Sequence, residues 1–162
     1  MRRENLAVMA LVLVLAGAMF ATVLYLPSSD VHTPGPGNGT GVCLGTAECF
    51  EGEVERIVDG DTLYVEGVKI RLSLVDTPES GEAGFWEAKD FVEYLCPEGS
   101  QATVDQDDWQ LEDNYGRMLA VVHCNGKNLN EELLDGGYGE ILTYYCDLSE
   151  FGGETWARRH GC

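Results

Sequence analysis

A mainly β domain with added helices (α+β), built as a small five-stranded closed barrel with about three helices, is the fold class the sequence predicts. Three observations predict it. Five short β-rich runs are separated by turn residues, one helix-spaced segment falls between the third and fourth of them, and the remaining helical signals follow the fifth.

The chain of 162 residues starts outside that barrel. Met1-Arg2-Arg3 is a short basic start, and Leu6 to Leu26 follows as an almost unbroken apolar run. At about 1.5 Å of rise per residue such a run spans about 30 Å, the thickness of a bilayer's hydrocarbon core. Residues 1–26 are therefore read as a signal anchor or a signal peptide. Ala16-Gly17-Ala18 has the small-x-small form of a cleavage site, whereas the apolar run continuing past it suits an uncleaved anchor. With Arg2 and Arg3 on the N-terminal side, the positive-inside rule puts the rest of the chain outside, so either reading exports the domain: anchored in the cell membrane and facing outward, or secreted.

Residues 27–49 open with "PSSDVHTPGPGNGTG", rich in Pro, Gly and Ser and without apolar periodicity, and read as a flexible linker. Asn38-Gly39-Thr40 within it has the form of an N-glycosylation acceptor. The folded domain is expected over 50–162.

Within the domain, strand-like runs fall at about 52–58, 62–66 and 68–75. In the third, Ile70, Leu72 and Leu74 alternate with Arg71, Ser73 and Val75, which points Arg71 away from that apolar row. Pro78 ends the strand. From Phe85 to Cys96, Ala88, Phe91, Val92 and Leu95 recur at helical spacing and Pro97 marks the stop. Two further strands are expected at about 101–107 and 117–123. Asn128 is a plausible N-cap for a short helix with Leu129, Leu133 and Leu134 inward, closed by Gly136-Gly137, and a last short helix is expected around Trp156. This order fits an OB-fold.

All six cysteines, Cys43, Cys49, Cys96, Cys124, Cys146 and Cys162, lie beyond the apolar segment. An even count in a small exported domain, with no C-x-x-C pair, favours disulfides over zinc. Six cysteines allow 15 pairings, and the pairing expected here is 43–49, 96–124 and 146–162.

From Phe50 onward there are 25 Asp and Glu against 8 Lys and Arg, an excess of 17 negative charges. Such a surface repels polyanions at long range and argues against a protein that holds nucleic acid by a basic face. It also fits a salt-rich habitat, where screening removes the self-repulsion.

Asp59-Gly60-Asp61-Thr62 sits between the first two strands. By itself Asp59-Gly60 is a hairpin signal. An EF-hand is excluded, because Gly60 stands at the second loop position and no glutamate occupies the twelfth. Asp61 opens one strand and Asp76 closes the next but one, so a small barrel can bring them together. Carboxylate and carbonyl oxygens of this kind suit Ca²⁺. Glu79 follows Asp76 by three residues, and Arg71 and Arg117 lie on or beside strands that can face the same pocket.

The runs "VDGDT", "RLSLVDTPE" and "NYGRMLA" occur in the order and approximate spacing of the staphylococcal nuclease (thermonuclease) family, which the chain resembles over about residues 52–145. That resemblance implies an OB-fold and Ca²⁺-dependent hydrolysis of phosphodiesters, with DNA, RNA or both as substrate. It implies Asp61 and Asp76 as Ca²⁺-binding aspartates, Thr77 as a residue offering its backbone carbonyl, and Asp59 as an outer-shell acid. It further implies Glu79 as general base, Arg71 and Arg117 as phosphate-binding arginines, and Tyr115 as a contact to a substrate phosphate. The chemistry agrees: a water must lose a proton, and charge building on the phosphoryl oxygens must be stabilised. Arginine forks suit bidentate phosphate contact, although a guanidinium is a poor acid for the leaving oxygen.

The chain also departs from the family pattern. Asn114 stands where the pattern has lysine, and the short loop "SGEAG" after Glu79 carries Glu82 in place of lysines, so a weaker hold on substrate is expected. Trp109, Tyr144 and Tyr145 are read as core or rim packing before base stacking, and His123 and His160 receive no role. The alternatives of another class are a catalytically inactive OB-fold module binding a ligand or nucleic acid, and a disulfide-stapled Ca²⁺-binding surface protein. No protein partner is inferred.

Overall fold

The computed structural model describes residues 42–162. The expected anchor or signal at 1–26, the linker up to residue 41 and the Asn38 acceptor lie outside the described residues. Among the described residues no helix is long and apolar enough to cross a membrane.

Five strands form the barrel: β1 (Cys49–Ile57), β2 (Thr62–Val65), β3 (Val68–Leu72), β5 (Gln101–Gln106) and β6 (Met118–Cys124). Antiparallel pairing runs β3-β2-β1-β5-β6, and β3 then pairs with β6 in parallel, Arg71 beside Leu119, which closes the sheet on itself. Closure leaves no free edge among these five strands. The long β1 serves both halves: residues 49–53 pair with β5, and after an irregularity near Glu55 the strand turns to pair with β2. A bulge of that kind lets one strand bend around a small barrel.

The inward residues are apolar and almost fully buried, among them Val54, Leu63, Val65, Ile70, Leu72, Val104 and Val122. Helix α1 (Phe85–Leu95) covers one side with Ala88, Val92 and Leu95, and α2 (Leu129–Asp135) adds Leu129, Leu133 and Leu134. Asn128 caps α2 as expected, its side chain accepting from the Glu131 N–H. Helix α3 (Thr155–His160) buries Trp156 and Ala157 and is clipped to α2, where Arg159 meets Glu131 and Asp135 and His160 meets Asp135. Two-residue β7 (Lys127–Asn128) pairs antiparallel with the end of β6, and β4 (Val75–Asp76) pairs with β8 (Glu140–Ile141) as a separate ribbon.

The third strand is shorter than its 68–75 alternation suggests. β3 ends at Leu72, and the chain turns through Ser73 and Leu74, the latter at φ 64°, before β4 begins. The alternation persists because both sides of this segment are buried, Leu74 and Val75 alike. The disulfides join Cys43 to Cys49, Cys96 to Cys124 and Cys146 to Cys162, the expected pairing. Residues 43–49, counted from sequence with the linker, are tied to the barrel: Leu44 N–H donates to Asp105, Thr46 and Ala47 N–H groups donate to Asp108, and β1 begins at Cys49.

Asn130 received no role from the sequence. It is fully buried; its amide donates to the carbonyls of Ser73 and Ala120 and its oxygen accepts from Val122 N–H. One side chain thus joins α2 to β6 and to the turn after β3. Asn130→Ala leaves those groups without partners and should lower stability by about 2–4 kcal/mol, read as a lower denaturant midpoint at unchanged slope.

Candidate active site

The site gathers at the end of the barrel where the β1–β2 loop, the end of β3, β4 and the segment before β6 meet. Gly60 explains the tight local path. A Cβ there would lie 2.7 Å from the Thr77 hydroxyl and 2.8 Å from the Ala88 methyl, so only glycine lets the loop press against both. The Asp61 N–H then donates to Asp59 across the turn.

Asp61 is buried at 5% exposure. One of its oxygens accepts from both the N–H and the hydroxyl of Thr77 at 2.9 Å, and the other lies 3.2 Å from Arg71 Nε and 3.1 Å from the Thr62 hydroxyl. Arg71 also places Nη2 2.9 Å from Asp76 and donates through Nη1 to the carbonyls of Leu72 and Val75. Two carboxylates, Asp61 from the β1–β2 loop and Asp76 from β4, thus converge on one guanidinium. Arg71 is itself 9% exposed, which rules out a surface ion pair. Burial first, and then the charge of Asp61, raise the pKa of Asp59, so negative charge is already crowded here.

Arg117 approaches from the loop before β6. Its Nε pairs with Asp113 and its Nη1 lies 3.2 Å from the Thr62 hydroxyl. Asp113 also accepts from the backbone N–H groups of Tyr115 and Arg117. Burial alone would raise the Asp113 pKa, but these donors and the guanidinium outweigh it and hold the carboxyl below its usual range. Arg117 lies 5.5 Å from the centre of the Tyr115 ring, which is 85% exposed. A cavity of about 250 Å³ has Arg71, Arg117, Tyr115, Tyr145, Leu119 and Asp113 among its lining residues.

Glu79 stands on the exposed loop three residues after Asp76. Its carboxylate has no hydrogen bond or ion pair among the described residues, while its backbone N–H is held by Glu82 at 2.8 Å and its carbonyl accepts from Glu82 N–H. The sequence-selected residues therefore form one connected set through Asp59, Asp61, Arg71, Asp76 and Thr77, with Arg117 joined through Thr62. Glu79 sits beside that set.

Asp113, Thr62 and Glu82 were not selected from sequence, although the first two had a signal: Asp113 precedes Arg117 by four residues, and Thr62 is the last residue of "DGDT". Trp109 and Tyr144 are 66% and 79% exposed and Tyr145 38%, so none is core. His123 is half-buried and its pKa is lowered by burial, away from the site.

Asp61 and Asp76 are hard oxygen donors converging on a single positively charged group, a donor set that fits a calcium-like cation. Thr77 is bound to Asp61 through its own N–H and hydroxyl, so it also orients that carboxylate. Among the described residues no three of the acids come within 4.8 Å of one another at this site.

A family model described as staphylococcal nuclease homologue matches residues 69–152. An uncharacterized protein of Bacillus anthracis is 39% identical over 112 residues, 60% of this chain and 49% of that protein. Endonuclease YhcR of Bacillus subtilis is 33% identical over 113 residues, 59% of this chain but 9% of that protein. Micrococcal nuclease of Shigella flexneri is 31% identical over 126 residues, covering 68% and 70% of the two chains. The chain spans about half the length of the first of these relatives.

Proposed function

Because this chain belongs to the staphylococcal nuclease homologue family, we propose that it is a nuclease that hydrolyses phosphodiester bonds of DNA, RNA or both. The observation that carries the reading is the cavity shared by Arg71 and Arg117, next to the paired carboxylates of Asp61 and Asp76. Two nucleases among the relatives support it by name.

In this reading Asp61 and Asp76, with the Thr77 carbonyl, would hold Ca²⁺, and Asp59 supports them from outside. The ion, when bound, supplies positive charge to a phosphoryl oxygen and orients the attacking water. Glu79 takes the proton of that water; its carboxylate is free of competing partners and its backbone is fixed by Glu82.

The two arginines hold the remaining phosphoryl charge, but unequally. A guanidinium has five N–H donors. Arg71 directs them to Asp61, Asp76 and two carbonyls, whereas Arg117 commits only Nε to Asp113 and Nη1 to Thr62. Arg117 is the arginine with donors to spare for phosphate. Tyr115, largely exposed beside it, offers a hydroxyl to a substrate phosphate.

Export, as an anchored or a secreted protein, is proposed on the apolar run at 6–26 and fits the three disulfides of the domain. With few basic groups to engage phosphate, substrate affinity should depend weakly on salt. We expect the cleavage rate with saturating Ca²⁺ to change by less than about tenfold between 0.1 M and 2 M NaCl, checked with a fluorescent oligonucleotide. A loss of orders of magnitude would contradict this. Ca²⁺-dependent cleavage of single-stranded DNA or RNA by the oxidised protein tests the reading.

A further inference from the structure

The acid Asp105 lies outside the site already described. It is 1% exposed; Oδ2 accepts from Leu44 N–H and Oδ1 has no hydrogen-bond partner. A carboxylate oxygen of Asp105 and the sulfurs of Cys43 and Cys49 lie within 4.8 Å of one another. The other two bridges differ. Cys96 and Cys124 are buried in the core at 0% and 1% exposure, and Cys146–Cys162 has no carboxylate in a comparable group among the described residues. Cys43 and Cys49 are half-buried, as are Cys146 and Cys162, so the neighbouring carboxylate is what sets the first bridge apart.

We propose that the Cys43–Cys49 bridge is a site of thiol–disulfide exchange with small thiols, and that Asp105 is the group that passes a proton to and from its sulfurs. A buried acceptor without a partner is costly, by about 1–3 kcal/mol. In the disulfide, neither sulfur can donate to Asp105; once the bridge opens, a cysteine S–H can. Reduction thus offers Asp105 a donor that the disulfide cannot, which tilts this bridge toward exchange.

An external thiolate attacks one sulfur, the Cys43–Cys49 bond breaks, and a mixed disulfide forms. The departing cysteine sulfur keeps the electron pair and takes the proton of the Asp105 carboxyl. A second external thiolate attacks the mixed disulfide and leaves as external disulfide, and the second cysteine is protonated from water. Two external thiols are oxidised and one protein disulfide is reduced.

Asp105 is suited to hold that proton. Burial, followed by the charges of Glu150, Asp108 and Asp107, raises its pKa to about 6 against the lowering effect of the Leu44 N–H. His123, Glu131 and Glu154 line the cleft that Asp105 also lines, and Glu150 is itself raised by burial. A raised carboxyl pKa means that the folded state carries the proton at mildly acid pH and gives it up as pH rises through about 6.

The test is reduction of the full oxidised chain with dithiothreitol, quenched by alkylation and read by peptide mass, with each rate divided by the concentration of reductant thiolate. Cys43–Cys49 should open at least about tenfold faster than Cys146–Cys162 and Cys96–Cys124, and its corrected rate should fall about tenfold or more from pH 5 to pH 8. Asp105→Asn should flatten that profile. Opening no faster than Cys146–Cys162, a flat wild-type profile, or an unchanged profile in Asp105→Asn would each overturn the proposal. The order of opening and the wild-type profile need no variant, so they decide the matter even where Asp105→Asn does not fold.

Discussion

Glu79→Gln lowers kcat by about 10²–10⁴-fold, the usual worth of a positioned general base, while KM and thermal stability stay near their wild-type values. The expectation comes from what surrounds the side chain. Glu79 is exposed and its carboxylate makes no hydrogen bond or ion pair among the described residues, so nothing structural is lost with its charge. Glu82 holds Glu79 through the backbone N–H, and the amide variant keeps that contact. What the amide cannot do is accept a proton from water. A Glu79→Gln enzyme with kcat within about threefold of wild type would remove Glu79 from the mechanism. A fall in Tm accompanying the lost rate would instead assign the residue to the fold.

Arg117→Lys should cost about 10²–10³-fold in kcat/KM, with most of the loss in kcat. Arg117 is held at three points: Nε pairs with Asp113, Nη1 reaches the Thr62 hydroxyl, and its N–H donates to Asp113. Those contacts leave the rest of the fork facing the cavity. A lysine retains the charge but is a single point donor, so it either stays with Asp113 or reaches phosphate. The stability cost should be small, because the Asp113 carboxylate remains bound by the N–H groups of Tyr115 and residue 117. Steady-state kinetics on a defined oligonucleotide, beside a denaturant melt, separate the two effects. An Arg117→Lys enzyme with near wild-type kcat would show that the fork is not used.

The barrel was legible because its strands carry local signals. Period-two alternation in 68–75, turn glycines, and the stop at Pro97 each rest on neighbours in sequence. The irregularity near Glu55 and the turn at Ser73-Leu74 were not legible: the first arises where β1 must serve two partners, and the second lies in a segment buried on both sides. The cysteine pairing agreed with expectation.

At the site, type and spacing single out the acids of "DGDT" and "DTPE" and the family resemblance suggests their roles, but neither says what each one touches. Asp61, expected as a metal ligand, is also the anchor of Arg71 and Thr77. Asp113, Thr62 and Asn130 were missed for a shared reason. Each acts on a partner far in sequence or through backbone groups, which residue type alone does not reveal. Gly60 illustrates the converse: its turn propensity was plain, but the contact with Thr77 and Ala88 that requires glycine exists only in three dimensions.

The most direct measurement is cleavage of single-stranded DNA and RNA by the oxidised protein, with Ca²⁺ and with a chelator, beside Glu79→Gln. Cleavage is expected to need Ca²⁺, to disappear on chelation, to return when Ca²⁺ is restored, and to be lost in Glu79→Gln. A folded protein whose melting temperature rises with Ca²⁺, yet which cuts neither substrate at low or high salt, would contradict it and favour a binding module that keeps the metal site without the chemistry.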